Sequence, residues 1–296
     1  REFLNSRSFY VLQVLIACFF VFIKQEVLGA ICFVALITAI FAICDDIRAT
    51  TLPFLIICTI TTNRYNSYNL YIGYIKYVPV VLVALIYHFA VYHKSFAFGE
   101  SAKGIFAAGV AISLGGLGRF TLSDYAYGGY YFFGLGFGML FAYALMRSEF
   151  YDDKKEDRYK FAFMMTAYGM LCGFMIANGY YKLYIEKSIV NLYPEGFSRN
   201  NLSTLLMFAM PFPLYLAKRK PAAAFLTVLV LAFLALTRSR GGFLFGCIEF
   251  AVCAVFWIFS GKTKKGRKIR LYVCLGALAI GVCVMLPALI KWILPR

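Results

Sequence analysis

Two short stretches of this chain carry residues able to hold an anion. Arg238 and Arg240 stand just before a long apolar run that starts at Gly242, and Arg199, Asn200 and Asn201 stand before another that starts at Leu202. Each run reads as a helix. The exposed first turn of a helix carries N–H groups without intrahelical acceptors and the positive end of the helix dipole, and both favour negative charge. Asn200, Asn201 and Ser203 are suitable N-caps for the earlier helix. Guanidinium groups add fixed positive charge and a planar fork that matches phosphate oxygens, which Lys does not offer. Such a cluster suits recognition of a diphosphate. The same arginines would equally serve to reach lipid phosphates and set helix depth.

The elements that must position these residues are membrane helices. The chain has 296 residues, 62% hydrophobic and 15% charged, with a mean hydropathy of +0.74. Soluble domains hold roughly 45–50% apolar and about 25% charged residues. Apolar surface on this scale exceeds what one core can hide, which excludes a soluble enzyme. The apolar residues fall in blocks of 12 to 24, and a helix needs about 20 to cross a hydrocarbon core of ~30 Å. Eleven spans are expected: 9–23, 27–44, 51–62, 70–92, 104–118, 128–146, 161–184, 202–217, 221–237, 242–260 and 271–290. The third and fifth are short, and re-entrant segments remain open there. The expected fold class is all-α, a polytopic helical bundle forming a single transmembrane domain over 1–296. The chain opens at Arg1 and stops just after an apolar block, so it reads as a piece of a longer protein. No cleavable signal is visible at its start.

Orientation follows from the basic residues. The loop 261–270 carries six Lys and Arg and no acid, which places it in the cytoplasm. Alternation then puts 19 Lys and Arg in inside segments and 10 on the outside, counting Lys182 at the outer end of span 161–184, with the N-terminus inside. The loop 147–160 balances five basic against five acidic residues and is expected to be a solvated cytoplasmic connector. The net charge of +16 is therefore a consequence of topology. No basic patch with interleaved aromatics lies on a soluble segment, so nucleic acid is not an expected partner. The nine cysteines sit in or beside apolar blocks without a C-x-x-C pair, and read as small buried hydrophobes.

The stretch Thr237-Arg238-Ser239-Arg240-Gly241-Gly242-Phe243-Leu244 resembles the S-R-G-G/A-hydrophobic signature of the O-antigen ligase and O-antigen polymerase superfamily. Gly196-Phe197-Ser198-Arg199-Asn200-Asn201-Leu202-Ser203, running on to Pro211, is similar to that family's G-x-F-x-N-x-N-x-x-A stretch at the head of an earlier span. The two occur in the family's order and at its spacing of about forty residues. The likeness covers 196–244; the flanking spans agree in character only. It implies an all-helical, lipid-sugar glycosyltransferase (GT-C-like) fold in the bacterial cytoplasmic membrane. It also implies inverting transfer or polymerisation of a glycan from undecaprenyl diphosphate to a hydroxyl of another glycan, a lipid or a protein, on the outer face. No metal, nucleotide or other cofactor is implied. By match to the motif, Arg240 is the first candidate for the diphosphate, then Arg199 and Arg238, with Asn200 and Asn201 as helix caps that also reach the substrate. One departure stands out. The ligases carry a large external loop with a His proposed to activate the acceptor, whereas this chain has only His88 and His93, both at the expected cytoplasmic end of span 70–92. They are expected to be interfacial, and a His-bearing loop would have to follow residue 296, unless the enzyme is polymerase-like.

External acids that could act as base are Glu195, Glu186 and Asp124, with Glu195 nearest the Arg motif. Glu195 would equally serve as a simple partner for Arg199 or Lys187. Lys182, Arg119 and Arg64 could line a basic path for an acidic glycan or lipid head. Lys76 falls inside a span, where ionisable residues are functional candidates unless they snorkel outward. The glycines at 128, 129, 134, 136 and 138 suit close helix packing better than a phosphate loop. Tyr125, Tyr127, Tyr130 and Tyr131, and again Tyr180, Tyr181 and Tyr184, fall at expected external boundaries, as interfacial rings do. Two rival classes stand beside the glycosyltransferase: a transporter or lipid-linked glycan flippase, which predicts charges at mid-depth and discontinuous helices, and an assembly subunit without activity.

Overall fold

The computed structural model describes residues 3–61, 78–92, 102–118, 143, 147, 155–187, 199–261, 263–276 and 279. Every regular element among them is helical, and no strand occurs among the described residues. The helices are α1 (Arg7–Phe22), α2 (Glu26–Ile43), α3 (Thr51–Thr61), α4 (Val78–Tyr92), α5 (Ala102–Gly118), α6 (Lys155–Tyr184), α7 (Arg199–Ala209), α8 (Pro211–Leu216), α9 (Ala224–Leu236) and α10 (Arg240–Phe259). Residues 264–276 are again helical. Three of these helices, α2, α6 and α10, are long and apolar enough to cross a membrane; α1, α3, α4, α5 and α9 are apolar but shorter.

The differences from the expected spans have local causes. Helix α6 starts at Lys155, so the end of the expected connector 147–160 is helical; Glu156 and Asp157 in its first turn favour the positive pole of the helix. The expected span 202–217 is broken at Met210. Pro211 and Pro213 bring no N–H, and Pro211 opens α8, where its missing donor costs nothing. Span 221–237 begins with a 3-10 turn, Pro221–Ala223. Span 128–146, and most of 271–290, lie outside the described residues.

The chain divides into two compact units. One comprises Arg1–Asn5, Ile31–Phe54 and Asn66–Arg158. Within it Ile40, Cys44 and Ala49 form a buried cluster with Leu4 and Leu36 against it. Asp46 accepts from the Arg48 N–H at 3.0 Å and pairs with its guanidinium at 2.7 Å, while a second Arg48 nitrogen lies 3.5 Å from Asp157. His88 is buried within the protein rather than at its surface. It is 1% exposed, its Nδ1 lies 3.1 Å from the Phe41 carbonyl, and its ring packs among Phe41, Phe89 and Tyr92. The last carbonyls of α2 lack intrahelical donors, and the imidazole meets one of them.

The other unit comprises Ser6–Ala30, Leu55–Tyr65 and Tyr159–Arg296. Helix α6 supplies much of its core through Met164, Met165, Tyr168, Leu171 and Cys172. The Tyr168 hydroxyl lies 2.6 Å from Thr59 Oγ1. Helices α7 to α10 pack on one another, α7 and α8 each against both α9 and α10. Glycine makes this packing possible. A Cβ at Gly169 would sit 2.7 Å from Ala209 Cβ, and at Gly173 and Gly246 it would collide with Phe233 and Leu234. Helix α10 buries Gly246, Phe250, Ala254 and Trp257, and leaves Leu244, Phe245, Ile248, Val252, Phe256 and Phe259 exposed along its whole length. A continuous apolar face of this kind suits contact with lipid. Cys32 and Cys58 are likewise exposed on apolar helices, so burial holds for Cys44, Cys172 and Cys274 but not for every cysteine; Cys283 lies outside the described residues. At the far end of α10, Arg270 donates to the Trp257 carbonyl (2.7 Å) and to Ser260 Oγ (2.6 Å), and Arg267 donates to the Gly261 carbonyl (2.9 Å). Two of the six basic residues of 261–270 thus cap the negative pole of that helix.

The glycine contacts predict opposite signs for one substitution. Gly104 has nothing within 4 Å of its missing Cβ, so Gly104→Ala should raise stability by about 0.5–1 kcal/mol through helix propensity. Gly173→Ala should instead lower it by about 1–3 kcal/mol, because the Phe233 ring must move. Thermal unfolding of the purified protein in detergent, followed by tryptophan and tyrosine fluorescence, separates the two.

Candidate functional site

The two arginine-bearing stretches meet in space. Helix α9 ends at Leu236, and three residues reverse the chain into α10. Thr237 is buried and donates through Oγ1 to the Leu234 carbonyl at 2.6 Å; the same oxygen accepts from the Ser239 N–H at 3.2 Å. Arg238 takes a left-handed φ of 54°, which lets the chain turn this tightly. Ser239 is then the N-cap of α10, its Oγ accepting from the Gly242 N–H at 3.2 Å.

The single proton of that cap hydroxyl is donated to Asn200 Oδ1 at 3.0 Å. The bond ties the head of α10 to the head of α7. The Asn200 carbonyl accepts in turn from Ser203 Oγ (2.8 Å) and Thr204 Oγ1 (2.9 Å). A Cβ at Gly242 would collide with Ser203, and one turn further a Cβ at Gly246 would lie 3.4 Å from Met210 Cε. Matching the residue pairs 200 with 239, 203 with 242 and 210 with 246 shows that α7 and α10 run in the same direction with their first turns side by side. Two positive helix poles therefore share one corner, and neither first turn contains an acid. Arg199, Asn200, Asn201, Arg238 and Arg240 are all exposed there.

Arg238 is turned toward α6. Its Nη2 donates to the Tyr184 hydroxyl at 3.1 Å, and its guanidinium carbon lies 5.8 Å from the centre of the Tyr180 ring. The Tyr184 hydrogen bond raises the Arg238 pKa above the ordinary guanidinium value, so this group stays a cation. The Tyr180 hydroxyl donates to the Leu236 carbonyl at 2.9 Å, and the Tyr180 and Tyr184 rings stack with centres 5.8 Å apart and planes 18° apart.

Lys182 leaves α6 in another direction. It is 7% exposed and donates to the Val21 carbonyl at 3.3 Å, in the last turn of α1. One turn below, the Asn178 side-chain oxygen is buried without a partner, and so are both amide atoms of Gln13 on α1. Glu186 is exposed just past α6. Glu195, Arg64, Lys76 and Arg119 lie outside the described residues, as do Asp124, His93, the glycines of 128–138 and the tyrosines of 125–131. Ser239 and Gly242 are parts of the site not expected from the sequence. A Ser directly before an Arg-Gly-Gly helix start is an N-cap signal that could have marked Ser239. Among the described residues no group of three or more His, Cys, Asp or Glu could hold a metal ion.

No protein-family model matches the chain, and no curated protein or solved structure matches it either.

The corner geometry predicts a measurable coupling. Ser239→Ala removes the α10 cap and the bond to Asn200, and should cost about 1–2 kcal/mol. Because both changes break one bond, Ser239→Ala and Asn200→Ala should be non-additive by about 1 kcal/mol in a double-mutant cycle of denaturant unfolding. Full additivity would mean that the two helix heads are not held by this bond.

Proposed function

We propose that the chain is a membrane glycosyltransferase of the O-antigen ligase/polymerase type, which moves or polymerises a glycan from undecaprenyl diphosphate onto a hydroxyl acceptor. The observation that carries the reading is the Ser239–Asn200 hydrogen bond. It joins the two stretches in which the resemblance lies, and so sets two positive helix poles and Arg199, Arg238 and Arg240 at one corner. In this reading the bundle has about eleven spans of the GT-C-like type in the bacterial cytoplasmic membrane. Its N-terminus is inside, and the arginine corner lies on the outer face.

The chemistry asked of that corner is modest. An acceptor hydroxyl oxygen attacks the anomeric carbon while the bond from that carbon to the diphosphate oxygen breaks, inverting the configuration. The bonding pair leaves with the diphosphate, and the hydroxyl proton passes to a base. Arg240, at the first position of α10, and Arg199, at the first position of α7, bind the diphosphate oxygens and stabilise the charge that develops on them, with the positive poles of the two helices beside them. Arg238 holds the corner to α6 through Tyr184. Glu195 is the proposed base. Arg119, Arg64 and Lys76 are proposed to bind the lipid head or an acidic glycan, and Asn200 and Asn201 to reach the sugar or phosphate; Lys182, buried on the Val21 carbonyl, is left to hold α1 instead. The reaction as written calls for no cofactor, and membrane lipids surround the whole.

A second reading has an observation of its own. A lipid-linked glycan flippase is favoured by the broken helix at Met210–Pro211 and by Gln13, a buried amide with neither polar atom partnered.

The test is glycan transfer in membranes, with undecaprenyl-diphosphate oligosaccharide as donor. Arg240→Ala should lower transfer by at least about 100-fold, the scale of losing one preorganised donor to developing charge, at unchanged membrane levels. Arg240→Lys should recover only part of it, since an ammonium lacks the fork. Unchanged transfer in Arg240→Ala would leave that residue a lipid anchor. Glycan crossing the bilayer without transfer, by the unmutated protein, would favour the flippase.

A further inference from the structure

The stacked pair Tyr180 and Tyr184 stands beside the arginine corner, and its construction differs from that of a membrane-interface ring. Interfacial tyrosines direct their hydroxyls to water and headgroups while the rings sit in lipid. Here both hydroxyl oxygens bond to the protein. Tyr180 donates to the Leu236 carbonyl at 2.9 Å, and Tyr184 accepts from Arg238 at 3.1 Å. Pinned at their tips, the rings lie nearly parallel, 18° apart, one helical turn apart on α6. Tyr184 is 55% exposed with its hydroxyl oxygen bonded to Arg238, and most of the surface of such a side chain is ring. Arg238 ties this shelf directly to the α9–α10 turn, two residues from Arg240.

A flat, rigid aromatic face beside a cationic corner suits a ligand with an anionic group joined to a ring that carries C–H bonds on one face and hydroxyls around its rim. A pyranose on a diphosphate is such a ligand. Its C–H face would lie on Tyr184 while its hydroxyls reach the polar side chains of Asn200 and Asn201, which are exposed at the same corner. We propose that Tyr184, backed by Tyr180 and held by Arg238, is the sugar-binding shelf of this site and seats the pyranose nearest the diphosphate. The identity of the ligand rests on the glycosyltransferase reading; the shelf itself rests on the ring geometry. Arg238 is then a positioning residue, acting on the sugar through Tyr184 rather than on the phosphate.

The experiment is equilibrium binding to the full chain in lipid nanodiscs. Two probes are compared, undecaprenyl diphosphate carrying one N-acetylglucosamine and undecaprenyl diphosphate alone. The unmutated protein should prefer the sugar-bearing lipid by about tenfold, the size of a well-packed anchor contact. Tyr184→Ala and Tyr184→Leu should abolish the preference while binding of the bare lipid persists, which also shows that these variants are folded. Tyr184→Phe keeps the ring but loses the oxygen that Arg238 holds, and should keep part of the preference. A preference that survives Tyr184→Ala, or its absence in the unmutated protein, overturns the shelf. Failure of the diphosphate site reads out separately, as bare-lipid affinity that Arg240→Ala does not change.

Discussion

One hydroxyl proton organises the region of interest. Ser239 Oγ accepts from the Gly242 N–H, and with its only hydrogen it reaches Asn200 on a different helix. Two helices running side by side in the same direction bring like dipole poles together, an arrangement that costs energy unless something holds it or a counter-charge relieves it. The bond from Ser239, the close approach of Gly242 to Ser203 and the small Gly246 facing Met210 and Leu234 hold it here. A corner kept electropositive in this way by neutral parts of the chain is preorganised for an anion. The arginines then add charge to a potential that the backbone has already set up.

The remainder of that unit is built to keep the corner still. Helix α6 reaches it from behind with Tyr180 and Tyr184, and its glycines at 169 and 173 let Ala209 and Phe233 approach closely enough to fix α7 and α9 against it. The same helix sends Lys182 to the end of α1 at Val21. The last carbonyls of α1 lack intrahelical donors, and an ammonium is an apt cap for them. Lys182 thus has a structural partner within the protein, whatever else it reaches. Tyr168 and Thr59 fasten α3 to the middle of α6 through a short hydrogen bond in an otherwise apolar setting, where such bonds count for more than in water.

Much of this organisation was legible in the sequence, and the reasons for what was not are local. Unbroken apolar runs named α1, α2, α3 and α10 to within a residue or two, because such blocks leave few alternatives to a helix. The break at Met210 was missed because hydropathy averages over proline, although Pro211 and Pro213 carry the signal plainly. Helix α6 runs past the expected span at its start for another reason: Glu156 and Asp157 belong to the solvated connector by hydropathy, yet acids suit a first turn. At the corner, Arg199, Asn200, Asn201, Arg238 and Arg240 could be picked out by type and position, although α7 starts at Arg199, so Asn200 and Asn201 lie inside its first turn and are not its N-caps; the contact between the two stretches could not be foreseen. Nothing local says that Asn200 will meet a residue 39 positions away. His88 illustrates the same limit. A histidine near the end of an apolar run reads as interfacial, and only the packing of Phe41 and Tyr92 around it reveals a buried ring.

The length of α6 has a consequence for where the protein can reside. Its 30 residues extend about 45 Å at 1.5 Å per residue, against a hydrocarbon core of ~30 Å. The excess is concentrated at the first turns, where Lys155, Glu156, Asp157, Arg158 and Lys160 follow one another, and Asp157 is met by Arg48. A charged collar of that kind cannot sink into hydrocarbon without several ions losing water. The helix therefore acts as a ruler. In a thinner bilayer more of its foot would stand in water, and in a thicker one the lipid would have to thin around it. Either adjustment leaves the distance between the collar and the tyrosines at the other end of α6 unchanged, because the length of a single helix fixes it.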